Sequence, residues 1–327
     1  MKEEEIRPKA IFEEYLRLAA ADTVTYFGTA VRIPIACPAC GTTGETAFTK
    51  SGFTYDLCPT CRTLYVSPRP AAEAFANYYT ESPSAKYWAS TFYKQTADAR
   101  RKHIWRPKAS AIEAIIKQHA PRETGCTVVD IGGGYGLFAE EMSKLCDHPL
   151  VVIEPSPDLA AACREKSLKV VQKFLEEMST TDLPDGGKTF VSFELFEHLH
   201  SPEKFLQALM GLMSPGDLFV FTTLSGTGVD IQALWEDSKS ISPPHHLNFL
   251  NPSSVRLLLT RLGLEVLEVS TPGKLDIDIM ENNWINIKDR FWMNFVAMAS
   301  EDEKRQWQTI VSETGWSSHM MVVTRKP

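Results

Sequence analysis

The chain has 327 residues, of which 43% are hydrophobic and 23% charged, so it can bury a core of ordinary size without disulfides. It has no apolar run long enough to cross a bilayer, and its start, MKEEEIRPKA, lacks the hydrophobic stretch of a secretory signal. We therefore expect a cytoplasmic protein without stable membrane insertion. A net charge of -7 and a pI near 5.7 argue against broad nucleic-acid binding, which needs clustered lysine and arginine.

The first segment, residues 1 to 32, is expected to be helical. Ile11, Tyr15 and Leu18 recur at helical spacing within residues 8 to 20, which predicts an amphipathic helix there.

Residues 33 to 67 contain two Cys-x-x-Cys pairs separated by 17 residues, and these predict a zinc ribbon. Each pair can direct two thiolates to one point, and two pairs on facing hairpins complete the tetrahedral shell of a structural Zn²⁺ ion. The expected ligands are Cys37, Cys40, Cys58 and Cys61. Two disulfides or a redox-active pair are the alternatives; a reducing compartment disfavours the first, and the doubled motif disfavours the second.

Residues 68 to 120 are predicted to form a helical linker or lid that follows the sequence SPRP. The segment is rich in aromatic side chains, which we interpret mainly as packing between the zinc module and the main domain. A few of them are expected to line a substrate or cofactor entrance. The aromatic residues are Phe75, Tyr78, Tyr79, Tyr87, Trp88, Phe92 and Tyr93.

From residue 121 to 327 the pattern alternates between short β-branched runs and helical stretches, which indicates an α/β domain with a doubly wound, mostly parallel sheet. The predicted strands are TVVDI, PLVVIE, LKVVQ, KTFVSF, DLFVFTT, LEVLEVS and HMMVVTRK, which make seven. A helical insertion is expected between the last two strands, at about residues 276 to 315.

The glycine-rich segment VVDIGGGYG follows the first strand of this domain. Glycines let a ligand lie directly against backbone N–H groups, because no Cβ stands in the way. A dinucleotide-binding fold would require glycine at position 137, where the chain has Leu137. The spacing Asp-x-Gly-x-Gly-x-Gly instead resembles motif I of the class I S-adenosylmethionine-dependent methyltransferases, over about two thirds of the chain in element order.

This resemblance implies a Rossmann-like fold, S-adenosyl-L-methionine as cofactor, and a set of contacts around the first two strands. Glu154 ends the second strand, where its carboxylate can accept both ribose hydroxyls. The expected cofactor contacts from this part of the chain are Asp130, Gly132, Gly133, Gly134, Tyr135, Gly136, Glu154 and Pro155.

The segment SFELFEHLHSP after the fourth strand looks like the corresponding segment of ubiquinone-type and sugar-type methyltransferases. By that resemblance, Phe193, Glu194 and Leu195 lie beside the methionine part of the cofactor. Glu194 and His198 are also candidates for acceptor binding or proton transfer, although capping and core packing explain a histidine there equally well.

Two further segments complete the expected site. After the third strand, the acidic residue that many family members use for adenine is missing, so Phe174 and Leu175 are expected to cover the adenine ring. After the fifth strand, SPPHHLNFLNP resembles a stretch of methyltransferases from sugar and glycan pathways. His245 or His246 is a candidate general base there. Adjacent side chains on an extended chain point in opposite directions, so one imidazole is expected to face the acceptor and the other to anchor the loop.

The predicted function is methyl transfer to a small-molecule acceptor, with a sugar, a nucleotide sugar or another glycan or natural-product intermediate as the expected class. The zinc ribbon and SPRP resemble the front part of deoxysugar C-methyltransferases, but the extra C-terminal domain of those enzymes has no counterpart here. The alternatives are an RNA methyltransferase with a zinc-finger substrate module, which the acidic charge disfavours, a quinone-type O-methyltransferase, and a protein that binds cofactor without turnover.

Overall fold

A computed structural model of the chain describes residues 2 to 120 and 126 to 327. The expected start of the catalytic domain at residue 121 therefore lies outside the described residues. A helix that spans a bilayer must combine length with sustained hydropathy, and none in the described part of the chain does so.

The N-terminal segment forms two helices, α1 (Glu3–Ile6) and α2 (Lys9–Phe27). Helix α2 extends seven residues beyond the predicted end because its last turns are held by tertiary contacts. The carboxylate of Asp22 accepts a hydrogen bond from the backbone N–H of Ser84 at 2.8 Å. Phe27 is fully buried, with its ring centroid 5.4 Å from that of Phe53 and 4.8 Å from that of Phe75.

The cysteine-containing segment forms short antiparallel strands. Their bounds are β1 (Arg32–Ile33), β2 (Glu45–Lys50), β3 (Phe53–Leu57), β4 (Leu64–Val66) and β5 (Arg69–Pro70). Strand β1 pairs with β5, and β2, β3 and β4 form consecutive neighbours of a second sheet. Phe53 and Tyr55 of β3 and all three residues of β4 are buried, so this sheet has a small hydrophobic core of its own.

The next segment is helical, as predicted. It comprises α3 (Ala72–Glu81), α4 (Pro83–Tyr87), α5 (Tyr93–Arg100) and α6 (Arg106–His119). Helix α5 is flanked by two π-helical turns, Trp88–Phe92 and Arg101–Trp105. Such turns are uncommon and often occur at functional sites, because the extra residue redirects the side chains around it.

The main domain contains the remaining elements. Its strands are β6 (Thr127–Ile131), β7 (Leu150–Ile153), β8 (Lys169–Val171), β9 (Lys188–Phe193), β10 (Leu218–Leu224), β11 (Asn248–Phe249), β12 (Glu265–Ser270) and β13 (His319–Arg325). Its helices are α7 (Leu137–Leu145), α8 (Pro157–Glu165), α9 (Pro202–Leu212), α10 (Val229–Leu234), α11 (Pro252–Arg261), α12 (Asp276–Asn282), α13 (Arg290–Met298) and α14 (Glu301–Glu313).

Seven of these strands form one sheet in the order β12-β13-β10-β9-β6-β7-β8, which confirms the predicted fold class. Strands β8, β7, β6, β9 and β10 are parallel, whereas β13 runs antiparallel to both of its neighbours. All five residues of β6 are buried, as expected of a central strand covered by helices on both faces. Helices α12, α13 and α14 form the predicted insertion between β12 and β13.

Strand β11 connects the two parts of the chain, because it pairs with β4 and completes the sheet of the cysteine-containing module. The contact is reinforced by Arg69, which is only 2% exposed and donates to the carbonyl oxygen of Leu247 and to Asn248 Oδ1 at 3.2 and 2.8 Å. Asn251 Nδ2 donates to the carbonyl oxygen of Cys61 at 2.8 Å. The module is therefore built directly onto the loop that carries His245 and His246.

Candidate functional site

The four predicted zinc ligands come together at one point. The Sγ atoms of Cys37 and Cys61 lie 3.5 Å apart and those of Cys40 and Cys58 lie 3.4 Å apart, and all four fit within 4.8 Å. These distances exclude S–S bonds, which are about 2.05 Å long, and suit four thiolates around one tetrahedral ion. The group can therefore hold a structural Zn²⁺.

The two cysteine pairs have the same backbone geometry. The N–H of Cys37 donates to the carbonyl oxygen of Thr42, and that of Cys58 donates to Thr63, both at 2.9 Å. The residue after each pair is in the left-handed region, with φ of 76° at Gly41 and 58° at Arg62. Both pairs therefore make the same tight turn, although only the first is followed by a glycine, which adopts this conformation easily.

The glycine loop follows β6 and turns tightly into α7. Gly132, Gly134 and Gly136 all have positive φ, at 70°, 56° and 72°. A Cβ at Gly133 would lie 2.6 Å from Val152 Cγ1 and therefore could not be accommodated without movement. The loop thus requires glycine for its backbone conformation and for its close contact with β7.

Glu154 holds this loop from the end of the neighbouring strand. Its Oε2 accepts a hydrogen bond from the Gly134 N–H at 2.8 Å, and its Oε1 accepts one from the Ser156 N–H at 2.9 Å. Burial raises the pKa of Glu154 to about 7, although the two backbone donors oppose the shift. A carboxylate has further lone pairs for a ligand, so Glu154 could accept ribose hydroxyls while retaining these bonds.

Asp130 lies at the base of the same loop, is only 2% exposed, and has an Oδ2 atom without a hydrogen-bond partner among the described residues. Burial and the nearby charge of Glu154 raise its pKa to about 7. A buried acceptor without a donor is costly, and a bound ligand with an N–H or O–H group would satisfy it.

A cavity lies between the glycine loop and the helical segment that contains α5. Five of the predicted cofactor residues line it, namely Asp130, Gly132, Gly133, Tyr135 and Phe193. Its other walls are Tyr93, one of the aromatic residues of which a few were expected to line an entrance, and Trp105, Leu137 and Phe138, which the sequence did not single out. The ring of Tyr93 stacks on that of Tyr135 at 6.3 Å, and its hydroxyl oxygen would lie 3.3 Å from a Cβ at Gly134. The helical segment therefore covers the loop.

The remaining predicted cofactor residues are not among those that line this cavity. Leu195 packs against Gly132, since its Cδ2 would lie 3.1 Å from a Cβ there. Phe174 is 49% exposed and free to stack on a ligand ring, whereas Leu175 is 4% exposed and belongs to the core. Pro155 is half-buried beside Glu154.

Glu194 occupies a strained position directly after β9, with φ of 52°. Its Oε1 accepts a hydrogen bond from Thr222 Oγ1 at 2.7 Å, and Lys108 Nζ and His319 Nδ1 lie 3.4 and 3.3 Å from the same atom. Burial opposes ionisation, but His319, Lys108 and the Thr222 hydroxyl together lower the pKa of Glu194 below its usual range. Sequence reasoning missed Lys108 and His319, which belong to distant segments.

Glu197, three residues later, has a raised rather than a lowered pKa. It is 1% exposed and accepts a hydrogen bond from Thr223 Oγ1 at 2.9 Å. Burial and the charge of Glu194 raise its pKa to about 8, so it is largely protonated at neutral pH. Two neighbouring carboxyl groups with pKa values driven apart are a common arrangement where protons are transferred. Ligand atoms of Glu197, His198 and His246 lie within 4.8 Å of one another and could share a proton or a cation.

The three predicted histidines form one cluster. The ring centroids of His245 and His246 lie 6.0 and 4.7 Å from that of His198, so both rings face the same neighbour. The expectation assumed an extended chain, whereas residues 243 to 245 form a turn; which imidazole faces the acceptor therefore stays a prediction. The His246 N–H donates to the carbonyl oxygen of Ser242 across this turn at 3.0 Å.

The cluster is neutral, since burial lowers the pKa of His245 to about 3 and that of His246 to about 4. The two rings differ in the nitrogen that remains available. His245 Nε2 lies 2.5 Å from the Tyr78 hydroxyl. His246 Nδ1 lies 2.6 Å from the Ser240 carbonyl oxygen, so this nitrogen carries the proton and Nε2 keeps a free lone pair.

A family model described as a methyltransferase domain matches residues 98 to 269, which is more than half of the chain. The ubiquinone biosynthesis O-methyltransferase of Xanthomonas euvesicatoria pv. vesicatoria is 27% identical over 189 residues, covering 54% of this chain and 76% of the relative. The enzyme of the same name from Xanthomonas axonopodis pv. citri is 27% identical over 217 residues, covering 62% and 87%. A solved plantazolicin methyltransferase bound to SAH shares 13% identity, with a TM-score of 0.48 and coverage of 77% and 94%.

The matched range begins within α5 and ends within β12, so it includes the glycine loop, Glu154 and the Glu194 to His198 segment. The chain therefore belongs to the methyltransferase-domain family and is an S-adenosylmethionine-dependent methyltransferase.

Proposed function

We propose that the enzyme methylates a hydroxyl group of a small polar acceptor, namely a sugar, a nucleotide sugar or another glycan or natural-product intermediate. The observation that carries this proposal is the group of proton-binding side chains beside the glycine loop, with an ionised Glu194 in contact with the His319 imidazole. An amine acceptor has less need of a base, whereas a hydroxyl must lose its proton as the new bond forms.

The described residues fit S-adenosylmethionine chemically. The loop from Gly132 to Gly136 offers a surface without side chains, and Glu154 would accept the ribose hydroxyls. The unpartnered oxygen of Asp130 would accept from a ligand donor, and the unpaired guanidinium of Arg100 suits the carboxylate of the methionine part.

The cofactor would supply a methyl group made electrophilic by its sulfonium. The chain would hold the acceptor, exclude water and take up its proton. Phe193 and Leu195 would flank the methionine part, and Phe174 and Tyr135 would contact the nucleoside. Glu194 would orient His319, whose Nε2 would accept the proton from the acceptor hydroxyl, as in other carboxylate-imidazole pairs. His246, with its free Nε2, is the second candidate for this step, and His198 and His245 would line the acceptor side.

The division of the chain that accompanies this proposal is an N-terminal helical segment (1 to 32), a zinc ribbon (33 to 67), a helical lid (68 to 120) and a methyltransferase domain (121 to 327) with a helical insertion at 276 to 315. The position of Tyr93 and Trp105 over the glycine loop supports the term lid. Strand β11 follows strand β10 of the catalytic sheet along the chain and pairs with β4 of the cysteine-containing module. This pairing supports a zinc ribbon that is fixed to the acceptor side.

A phenolic acceptor of the quinone type is the second candidate. The relatives named ubiquinone biosynthesis O-methyltransferases favour it, since they match 54% and 62% of the chain. Both candidates require a base and differ in the ring that carries the hydroxyl group.

The test is a methyl-transfer screen with labelled S-adenosylmethionine against nucleotide sugars, glycan fragments and catechols. With any acceptor that is turned over, His319→Asn should lower kcat about 10²- to 10⁴-fold, which is the usual contribution of a general base. The affinity for S-adenosylhomocysteine should change little. His148→Asn is the matched control, because His148 forms a similar pair with Glu113, at 3.0 Å, on another part of the chain.

Loss of activity in His246→Asn but not in His319→Asn would transfer the base function to the His198 cluster. Turnover of catechols alone would select the quinone-type acceptor. Turnover of neither acceptor class, with cofactor bound normally, would refute O-methylation of both.

A further inference from the structure

A second group of metal-ligating side chains lies apart from the cysteine-containing module. Glu113, Cys146 and His148 each offer one ligand atom, and the oxygen, sulfur and nitrogen atoms lie within 4.8 Å of one another. The closest pair is His148 Nε2 and Glu113 Oε2, at 3.0 Å. Carboxylate, thiolate and imidazole are the three kinds of side chain that bind Zn²⁺ and related ions in proteins.

The backbone after α7 directs two of these side chains to the same place. Cys146 caps the C-terminus of α7 in an extended conformation, with φ of -152° and ψ of 162°. Alternate residues of an extended segment point to the same side, so Cys146 and His148 are directed together. Glu113 reaches them from α6, which packs against α7. The three ligands therefore join two packed helices and the loop that follows the second.

The group is remote from the glycine loop. Cys146 and His148 precede β7, whereas Glu154 directly follows it, so they lie at opposite ends of that strand. Neither the proposed cofactor site nor the histidine cluster around His198 uses any of the three side chains. An ion bound here would act independently of the proposed methyl transfer.

An ion can reach these ligands from solvent. The side chains of His148 and Glu113 are 24% and 13% exposed, and Cys146 is half-buried, which leaves room for a water molecule as a further ligand. Glu113 Oε1 accepts a hydrogen bond from Lys117 Nζ at 2.9 Å, so the carboxylate is held in place while Oε2 faces His148. Bond lengths of about 2.0 to 2.3 Å place the ligand atoms of a tetrahedral ion roughly 3.3 to 3.8 Å apart. Small side-chain rotations would bring the three atoms to these separations.

We propose that Glu113, Cys146 and His148 bind one divalent ion of the zinc type, with water as the fourth ligand. Without metal, the Cys146 thiol donates to the carbonyl oxygen of Met142 at 3.5 Å. Binding breaks the S–H bond, forms a metal–sulfur bond and releases the thiol proton to solvent, while the neutral imidazole supplies a nitrogen lone pair. Thiolate and carboxylate together balance the charge of the ion. The bound ion fastens the end of α7 to α6, the last helix before the catalytic sheet.

The test is titration of the full chain with Co²⁺, after weakly held metal has been removed on a mild chelating resin that leaves zinc in the cysteine-containing module. Cobalt bound to a thiolate absorbs in the near ultraviolet through charge transfer, whereas cobalt held by oxygen and nitrogen alone lacks this band. We expect a single equivalent of Co²⁺ to produce the band in the wild type. Added Zn²⁺ should displace it, since a site of given ligands usually binds Zn²⁺ more tightly than Co²⁺.

Two ligand variants distinguish this site from the cysteine-containing module. Cys146→Ser should abolish the band, and His148→Asn should weaken Co²⁺ binding at least about tenfold, since loss of even an outer contact to a ligand often costs that much. His119→Asn is the matched control, because His119 lies on the same helix as Glu113 and in none of the ligand groups found among the described residues. Zn²⁺ should also raise the unfolding temperature of the wild type and the control more than that of Cys146→Ser, because it binds the folded form.

Absence of the band in the wild type would overturn the site. A band of unchanged intensity and affinity in both ligand variants would place the cobalt in the cysteine-containing module and would overturn it as well. Each variant keeps the other two ligands, so if one of them fails to fold the second still provides the test.

Discussion

Replacement of Glu154 by alanine tests the cofactor site most directly. In the folded chain this carboxylate joins two neighbouring strand ends, because it accepts hydrogen bonds from Gly134 in the glycine loop and from Ser156 before α8. In the bound state it would also accept the ribose hydroxyls. The substitution removes an acceptor from the ligand and, at the same time, the support of the loop on which the ligand lies.

The size of the effect follows from the kind of hydrogen bond lost. Hydrogen bonds to a charged group contribute about 1.5 to 3 kcal/mol in favourable cases, and neutral ones about 1 kcal/mol. We therefore expect Glu154→Ala to weaken S-adenosylhomocysteine binding by about 1 to 3 kcal/mol, or roughly 5- to 150-fold at 1.4 kcal/mol per tenfold. Loss of the two backbone contacts should also lower the free energy of unfolding of the free enzyme.

Isothermal titration of wild type, Glu154→Ala and Glu165→Ala would measure this. Glu165 is an exposed residue of α8 with no side-chain hydrogen bond in the described structure, so its replacement should leave the affinity unchanged. Thermal unfolding of each variant would show that it is folded at the temperature of titration. Equal affinity of wild type and Glu154→Ala would remove Glu154 from the site and would refute the ribose assignment.

The affinity measured in the same titrations should depend on pH, and the direction of this dependence can be predicted. Burial raises the pKa of Glu154 to about 7, and the ionised carboxylate is the form that accepts two hydroxyl donors best. Binding should therefore release protons, and affinity should fall as the pH drops through about 7. In the free enzyme, the raised pKa contributes stability that is fully present below the ordinary pKa of glutamate and is lost as the pH rises through about 7. Glu154→Ala should reduce both dependences, and Asp130 and Glu197, whose pKa values are also raised, contribute to what remains.

Two further substitutions test the metal module and its attachment to the acceptor side. Cys58→Ser should release the metal and destabilise the module, since structural zinc contributes directly to folding; metal analysis of the purified wild type and variant measures this, and a folded wild type without metal would refute the zinc assignment. Tyr55→Phe removes the hydrogen bond from the Tyr55 hydroxyl to the His246 carbonyl oxygen, at 2.8 Å, and should cost about 1 kcal/mol of stability and raise the acceptor KM. Tyr26→Phe is its control, because Tyr26 makes no side-chain hydrogen bond within the described residues.

The sequence alone determined the elements whose signals are local. Strand β9 begins and ends at the residues predicted, because its run of apolar and β-branched residues is bounded by glycines on one side and by a polar segment on the other. The glycine loop and the four cysteines were likewise recognisable, since a positive φ or a metal ligand set restricts residue type at fixed spacing. These features need no knowledge of what lies next to them in space.

The tertiary structure decided which distant segments meet. Glu194 was recognisable in its motif, but its partners Lys108 and His319 come from α6 and β13, and only the order of the sheet brings β13 next to β10 and β9. Strand β11 has two residues, too few for any periodic signal, and it exists because β4 offers an unpaired edge. Local sequence restricts backbone conformation and ligand type, whereas the charge balance of a buried site depends on contacts between segments far apart in the chain.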